Sequence, residues 1–294
     1  MGPPTDHRQD TRPEVTGLIE ALIESIPEIK SVLAAERGAS GKVNPSGDTQ
    51  RVADEQIDEI VFDCVNSLDG IGQYVSEERE GITDLGSGLS VATDPLDGSS
   101  NIKTNTTVGT IIGVYDAELP ARGRELVASL CLVLGPVPTL GVAADDELIE
   151  YTIQDGAIVG SRAVRLPESG GIWSFSGQPT EWTPALRSYE ETLGQQYAHR
   201  YTGAMIADVW LLLAFGGLVG YPERSTKPDG VLRLLYESNP VAYALECAGG
   251  AASTGSQPIL DVEPEGLHQR IPTFFGTQSL IDELETRLDS DIEA

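Results

Sequence analysis

The sequence predicts a layered α/β or α+β protein, and three observations lead there. Helix-spaced and strand-like apolar patterns interleave in both halves of the chain. Its 32 glycines and 18 prolines punctuate it too often for a long helical bundle. With 40% hydrophobic and 22% charged residues, the 294-residue chain has enough apolar material for a core, so global disorder is excluded.

The elements follow in order. Leu18, Ile19, Leu22, Ile23, Ile26, Ile29, Val32 and Leu33 recur at helical spacing, predicting a helix over Glu14 to Arg37. Pro27 should kink it or split it in two. Gly38 to Gly47 reads as a polar Gly/Ser-rich loop, and a second helix starts after Ser46-Gly47-Asp48 and runs to Val65. Strands are predicted at Gln73–Ser76, Leu89–Thr93, Thr106–Tyr115 and Leu126–Val133, with further strand signals to Val164. Gly170-Gly171 marks a domain boundary, giving units 1–171 and 172–294. Beyond it come a strand at Ile172–Ser176, an apolar helix at Ala204–Phe215 and strands at Leu218–Tyr221 and Leu232–Leu235. A helix at Pro240–Ala248, a strand at Thr273–Gly276 and a helix at Leu280–Leu288 close the chain. Leu126 to Ala144 carries no charge and is as long as a membrane span. Gly135-Pro136-Val137-Pro138 interrupts it, so two buried strands around a turn are predicted and no membrane partner is expected.

The formal charge of −27 excludes nucleic acid as a partner, because phosphate backbones need a basic footprint. Of the 19 basic residues only four are Lys. High acid with little Lys points to adaptation to high salt, where screening weakens self-repulsion. Cys64, Cys131 and Cys247 are far apart and form no C-x-x-C pair, which reads as buried free thiols in a reducing cytoplasm. Met1 to Pro13 is polar, without an apolar signal core.

Four groups of acids lie at predicted element ends: Asp48 and Asp54, Glu77-Glu78, Asp94 with Asp97, and Glu237. Carboxylates at strand ends converge readily at one sheet edge, where ligands sit. Oxygen-only donors suit hard ions such as Mg²⁺ or Mn²⁺. Taken singly, Glu77-Glu78 reads as surface and Asp48 as a helix cap. Asp94-Pro95-Leu96-Asp97-Gly98-Ser99-Ser100 differs, because it joins two carboxylates to a tight turn whose following amides can grip a phosphate.

From Val15 to Leu288 the chain resembles the class I fructose-1,6-bisphosphatases, within the superfamily that includes inositol monophosphatases. The resemblance rests on Ser46-Gly47-Asp48, Val75-Ser76-Glu77-Glu78, Asp94 to Ile102, Val108 to Tyr115, Arg200 to Val209, Leu232 to Pro240 and His268-Gln269-Arg270. It implies an α-β-α-β-α sandwich with two mixed sheets, the sugar phosphatase fold. The first unit would bind metal and phosphate, and the second the sugar. It implies Mg²⁺-dependent release of the 1-phosphate of fructose 1,6-bisphosphate, with Mn²⁺ as the other candidate ion. Asp48, Asp54, Glu77, Glu78, Asp94, Asp97, Glu237 and the Leu96 carbonyl match metal ligands. Asp54 and Glu78 are expected to position and deprotonate water, with Asp97 also catalytic. Gly98, Ser99, Ser100 and Arg233 match the grip on the transferred phosphate. Tyr201, Met205 and Tyr221 match the sugar pocket and distal phosphate site. Arg200 matches an arginine that serves a neighbouring subunit, so a homo-oligomer, dimer or tetramer, is expected.

Three features depart from the family pattern. Val231 stands where a substrate lysine is usual, and Ser176-Gly177-Gln178-Pro179 replaces Asn-Glu-Gly-Tyr. Lys227 or Arg224 stands near enough in sequence to substitute, although Arg224 by itself reads as a surface ion-pair partner. The residues of the family's AMP site are missing at Gly88-Leu89 and Asp116, so no AMP inhibition by that route is expected. The competing readings are a phosphatase for another sugar or inositol phosphate, and a non-catalytic regulator of the same fold. His7 and His199 are expected at the surface and His268 in a structural role.

Overall fold

The structure is a computed structural model that describes residues 11–38 and 52–292. Of the expected Gly38–Gly47 loop, Gly38 ends a helix instead, and residues 39–47, like Asp48 and His7, lie outside the described residues. Helix α1 (Pro13–Gly38) is a single helix across Pro27, so the expected break does not divide it. Leu22, Ile23, Ile26 and Ile29 are all buried around that proline. Each such burial is worth roughly 1.5–3 kcal/mol, which together exceeds the roughly 3 kcal/mol an interior proline costs. Helix α2 (Val52–Asn66) packs beside it through Ile57, Val61 and Val65.

An eight-stranded sheet follows, made of β1 (Ile71–Ser76), β2 (Thr83–Asp84), β3 (Leu89–Asp97), β4 (Val108–Tyr115), β5 (Leu126–Leu134), β6 (Thr139–Ala144), β7 (Glu147–Gln154) and β8 (Ala157–Ala163). Its order is β2-β1-β3-β4-β5-β6-β7-β8. Only β1 and β3 run parallel; the other neighbours are antiparallel. The uncharged stretch thus forms β5 and β6, as its turn residues predict. No helix among the described residues is long and apolar enough to cross a membrane.

The rest of the chain supplies β9 (Ile172–Phe175), α3 (Pro184–Gln196), β10 (Ala198–His199), α4 (Met205–Phe215) and β11 (Gly217–Tyr221). After these come β12 (Leu232–Arg233), α5 (Asn239–Cys247), β13 (Ala251–Ser253), β14 (Arg270–Ile271), β15 (Thr273–Gly276) and α6 (Gln278–Ile292). A second sheet has the order β10-β9-β11-β15-β13, and β12 pairs with β14 in a separate ribbon.

Three cores separate five layers. Helices α1 and α2 cover one face of the large sheet. Helices α4 and α5 fill the space between the sheets, and α3 with α6 covers the outer face of the second sheet. The expected α-β-α-β-α sandwich is therefore the observed one. Covered on both sides, β3 and β4 are buried at every position. Ile111 enters one core and Ile112 the other, as the two-residue period of a strand requires.

Two differences from the sequence expectation stand out. Helix α3 was not predicted, although Thr183 caps it by accepting from the Leu186 N–H and Pro184 opens it. Leu232–Leu235 is a strand only through Arg233; Leu234–Ser238 is a π-helical turn running into α5. All three cysteines are free and buried, as expected.

Candidate functional site

The parallel strands β1 and β3 end side by side, and the Glu77 N–H donates to the Thr93 carbonyl (3.1 Å) beyond the end of β1. Glu77-Glu78 and Asp94–Asp97 therefore leave the same sheet edge. Three residues apart, Asp94 and Asp97 should face opposite sides of a strand. A bulge prevents this: Asp94 pairs with Ile111 and Asp97 with Gly109, so β3 carries one residue more than β4 over that span. The Thr110 hydroxyl donates to the Pro95 carbonyl (2.9 Å) inside the bulge. The Leu96 N–H donates to Asp94 Oδ1 (2.9 Å), turning that carboxylate back on its own turn.

Glu237 arrives from the other side, on the π-helical turn before α5. Such turns carry one extra residue and recur at functional sites. Its Oε2 accepts from the Arg233 N–H. Asp94, Asp97 and Glu237 are all buried, with carboxylate oxygens within 4.8 Å of one another. Burial raises all three pKa values. For Asp94 it puts the pKa well above the ordinary range, with Glu77, Asp97 and Glu237 adding to the shift. Asp97 is pushed up to about 7, offset in part by the Ile206 amide and raised further by Asp208 and Glu77. Glu237 is pushed up to about 8 by burial and then by Glu77. Three buried carboxylates repelling one another fit a site for a hard cation, which removes that repulsion and accepts oxygen donors only.

Glu78, the residue after Glu77, is half-buried on the side of α2 and pushed up to about 7 by burial, then Asp54 and Glu77. Asp54 sits half-buried in the first turn of α2. Arg79 fixes the turn that carries Glu77 and Glu78. Its Nε donates to Asp58 Oδ2 (2.6 Å), and its guanidinium lies over the Phe62 ring. Asp58 also accepts from the Tyr74 hydroxyl (2.8 Å).

Past Asp97 the chain turns through Gly98, whose φ of 75° is left-handed. A Cβ there would lie 2.2 Å from the Ala204 Cβ, so only glycine fits against the start of α4. Ser99–Ile102 is a short 3₁₀ turn, and Asn101 ties it to the Thr107 and Thr202 carbonyls. The Ile206 N–H, in the first turn of α4, donates to Asp97 Oδ2 (2.8 Å). Arg233 Nη2 lies 3.2 Å from Glu77 Oε1, at the rim of the acids.

Tyr221 is buried and donates to Asp208 Oδ2 (2.7 Å), while Thr202 donates to Oδ1 through its N–H (2.8 Å) and its hydroxyl (2.7 Å). Asp208 thereby fixes both Tyr221 and the segment carrying Tyr201, which is 49% exposed. Met205 is buried at the start of α4. The sequence reading gave Asp208 no role; its signal was a lone charge inside an apolar helix. Arg79 and Asp58 were missed as well, because nothing local marks an ion pair 21 residues apart.

Arg200 is not brought to this cluster. It is exposed and lies over the Phe215 ring (5.3 Å), at the far end of α4. Arg224 is not the surface residue expected, being only 16% exposed. Val231 is half-buried against the central core. His268 Nδ1 bonds the Tyr236 hydroxyl (2.8 Å), a structural role, and His199 is exposed.

Comparison with known proteins agrees over nearly the whole chain. Residues 5–157 match the family model for the N-terminal domain of fructose-1,6-bisphosphatase, and residues 166–289 match the model for its C-terminal domain. The chain is 42% identical over 278 residues to a class 1 fructose-1,6-bisphosphatase of Halobacterium salinarum, covering 93% of this chain and 97% of that one. It is 40% identical over 276 residues to one of Haloarcula marismortui, covering 94% and 95%. Both relatives come from halophilic archaea. The crystal structure of Leishmania major fructose-1,6-bisphosphatase in holo form superposes with a TM-score of 0.88 at 26% identity, covering 98% of this chain and 99% of that one.

Proposed function

Since this chain belongs to the class 1 fructose-1,6-bisphosphatase family, we propose that it hydrolyses the 1-phosphate of fructose 1,6-bisphosphate at the edge where β1, β3 and the turn before α5 meet. The observation that carries this reading is the convergence of buried Asp94, Asp97 and Glu237 beside Arg233 and the Gly98–Ser100 turn. Asp94, Asp97, Glu237, Glu77, Glu78, Asp54 and the Leu96 carbonyl are the donors assigned to divalent cations, with Asp48 completing the set. Mg²⁺ is the assigned ion and Mn²⁺ the alternative, because every donor is oxygen. When bound, such a cation supplies positive charge against phosphoryl oxygens and acidifies water.

The chain's own residues then divide the work. The first amides of a helical turn have no partners within it, so Gly98, Ser99 and Ser100 offer donors to the transferred phosphate. Arg233 adds a fixed positive charge at the rim. Glu78, poised at about 7, is matched to take a proton from the attacking water at neutral pH, with Asp54 orienting it. Asp97 is anchored by the α4 amides and so keeps its orientation through the reaction. Tyr201, Met205 and Tyr221 line the sugar side. On this reading most of the metal and phosphate groups come from 1–171, Glu237 and Arg233 reach in from 172–294, and the sugar contacts also come from 172–294. Arg200, exposed and turned away from its own cluster, is assigned to the site of a second subunit in a homo-oligomer.

The test is phosphate release from fructose 1,6-bisphosphate in molar KCl, with Mg²⁺ and with EDTA. Metal-dependent release well above that from inositol monophosphate supports the proposal. Release only from a different sugar phosphate would move the substrate, and release from none would leave a non-catalytic binding protein.

A further inference from the structure

Four of the chain's 19 basic residues crowd one place in a molecule of net charge −27. Arg224, Lys227, Arg233 and Arg270 stand close enough that burial first, then Arg270, Arg224 and Arg233, depress the Lys227 pKa. The backbone builds this crowding in. Arg224 and Lys227 bond each other in both directions, N–H to carbonyl at 3.0 and 2.8 Å, so their side chains leave one side of a tight turn. In the ribbon β12–β14, Arg233 is directly opposite Arg270. Like charges directly opposite are destabilising, so the arrangement costs stability unless an anion joins it.

Glu77 pairs with Arg233, but the carboxylate nearest Arg224 is shared with other donors. Glu181 Oε2 is 3.9 Å from Arg224 Nη1 and also accepts from the Gln178 N–H (3.2 Å), while its Oε1 accepts from the Thr226 hydroxyl (2.6 Å). Lys227 and Arg270 have no ion pair among the described residues. Arg224 Nε is buried with no partner, and so is the Ser176 hydroxyl, one residue before Gly177. Gly177 lies against the arginine: a Cβ there would sit 2.5 Å from the Arg224 Cδ. Buried donors without acceptors are rare and costly, and two of this group's own guanidinium nitrogens, Arg224 Nε and Arg233 Nε, are in that state.

The group also has a defined position relative to the acids. Burial raises the Tyr201 pKa, Asp208 and Asp97 raise it further, and Arg224 lowers it, so Tyr201 lies in the field of both poles. Arg233 lies between them, next to Glu77 on one side and acting on Lys227 on the other.

We propose that Arg224 and Lys227, on the turn between β11 and β12, bind the phosphate of the sugar bisphosphate that is not hydrolysed, with Ser176 beside them. This rests on the bisphosphate reading above and assigns two residues that the resemblance does not. They supply, from a different loop position, the charge missing at Val231.

The test is calorimetric titration of fructose 6-phosphate into the full-length chain in molar KCl with EDTA, which needs no turnover. Lys227→Ala changes an exposed side chain, and Arg224→Gln keeps a donor and much of the bulk. Each should weaken binding by about tenfold or more, the scale of one charge-assisted hydrogen bond. Arg187→Gln, an exposed site on α3, removes the same charge and should bind as the wild type does. Wild-type affinity in both pocket variants overturns the proposal. So does an equal loss in Arg187→Gln, which would make the effect one of net charge, and so does a wild-type chain that binds no fructose 6-phosphate. Hydrolysis of fructose 1,6-bisphosphate is read separately. Its absence would sink the proposed function, while the titration would still decide the role of Arg224 and Lys227.

Discussion

Asp97 receives the Ile206 amide at the start of α4, yet its carboxyl is pushed up to about 7, because burial and the neighbouring acids outweigh that bond. Asp97→Asn keeps the shape and removes one buried charge. It should leave the fold intact and lower turnover by roughly a hundredfold or more, the scale of losing a fixed charge at a reacting centre. Circular dichroism and a phosphate-release assay check this, and near-normal turnover would remove Asp97 from the site. The same shifts fix a pH dependence. Glu78 and Asp97 are raised to about 7 and Glu237 to about 8, against roughly 4 for carboxyls in an unfolded chain. Below about pH 4 both states are protonated, so these groups cost nothing; as pH rises the unfolded chain ionises first, so stability falls until about pH 8. Without divalent ions the melting temperature should therefore drop between pH 5 and pH 8. Millimolar Mg²⁺ should restore more of it at pH 8 than at pH 5, because protons compete with the ion. A Mg²⁺ effect independent of pH would contradict the cluster as the binding site.

At the scale of elements, the bulge in β3 brings two aspartates to one face, and the hydroxyl of Thr110 on the next strand holds it. Thr110→Val keeps the volume but leaves the buried Pro95 carbonyl without that bond. The expected loss of stability is about 1–3 kcal/mol, measured by urea unfolding, with weaker Mg²⁺ binding because the bulge loses its brace. Unchanged metal affinity would show that the bulge holds itself. The π-helical turn does the matching work for Glu237 from the opposite side.

Across the whole molecule, three cores and five layers leave nearly all the acidic residues among the described ones for surface, rim and site. A charge of −27 repels itself, and the repulsion weakens as the Debye length shrinks from about 10 Å at 0.1 M to about 3 Å at 1 M salt. The chain should lose its near-UV signal in low salt and recover it in molar KCl. Equal stability in both would refute salt adaptation. Its similarity to enzymes of halophilic archaea fits the same expectation.

Much of this was legible in one dimension. Strand and helix periods gave the order of most elements, since the core selects side chains at fixed spacing. Asp94 to Ser100 announced its chemistry because turn, carboxylates and amides are contiguous. What stayed hidden depended on contacts distant in sequence. Pro27 inside an unbroken helix, Arg79 locked by Asp58, Asp208 holding Tyr221, and the pairing of Arg233 with Arg270 are consequences of packing. Arg224 shows the division most clearly. Its sequence neighbourhood says surface charge, while the fold packs it against Gly177, sets its Nη1 3.9 Å from a Glu181 that also accepts from Gln178 and Thr226, and leaves its Nε without an acceptor. The residue types that a phosphatase needs were set by the sequence alone; which of them meet, and with what charge left unbalanced, was decided only when the two sheets closed on α4 and α5.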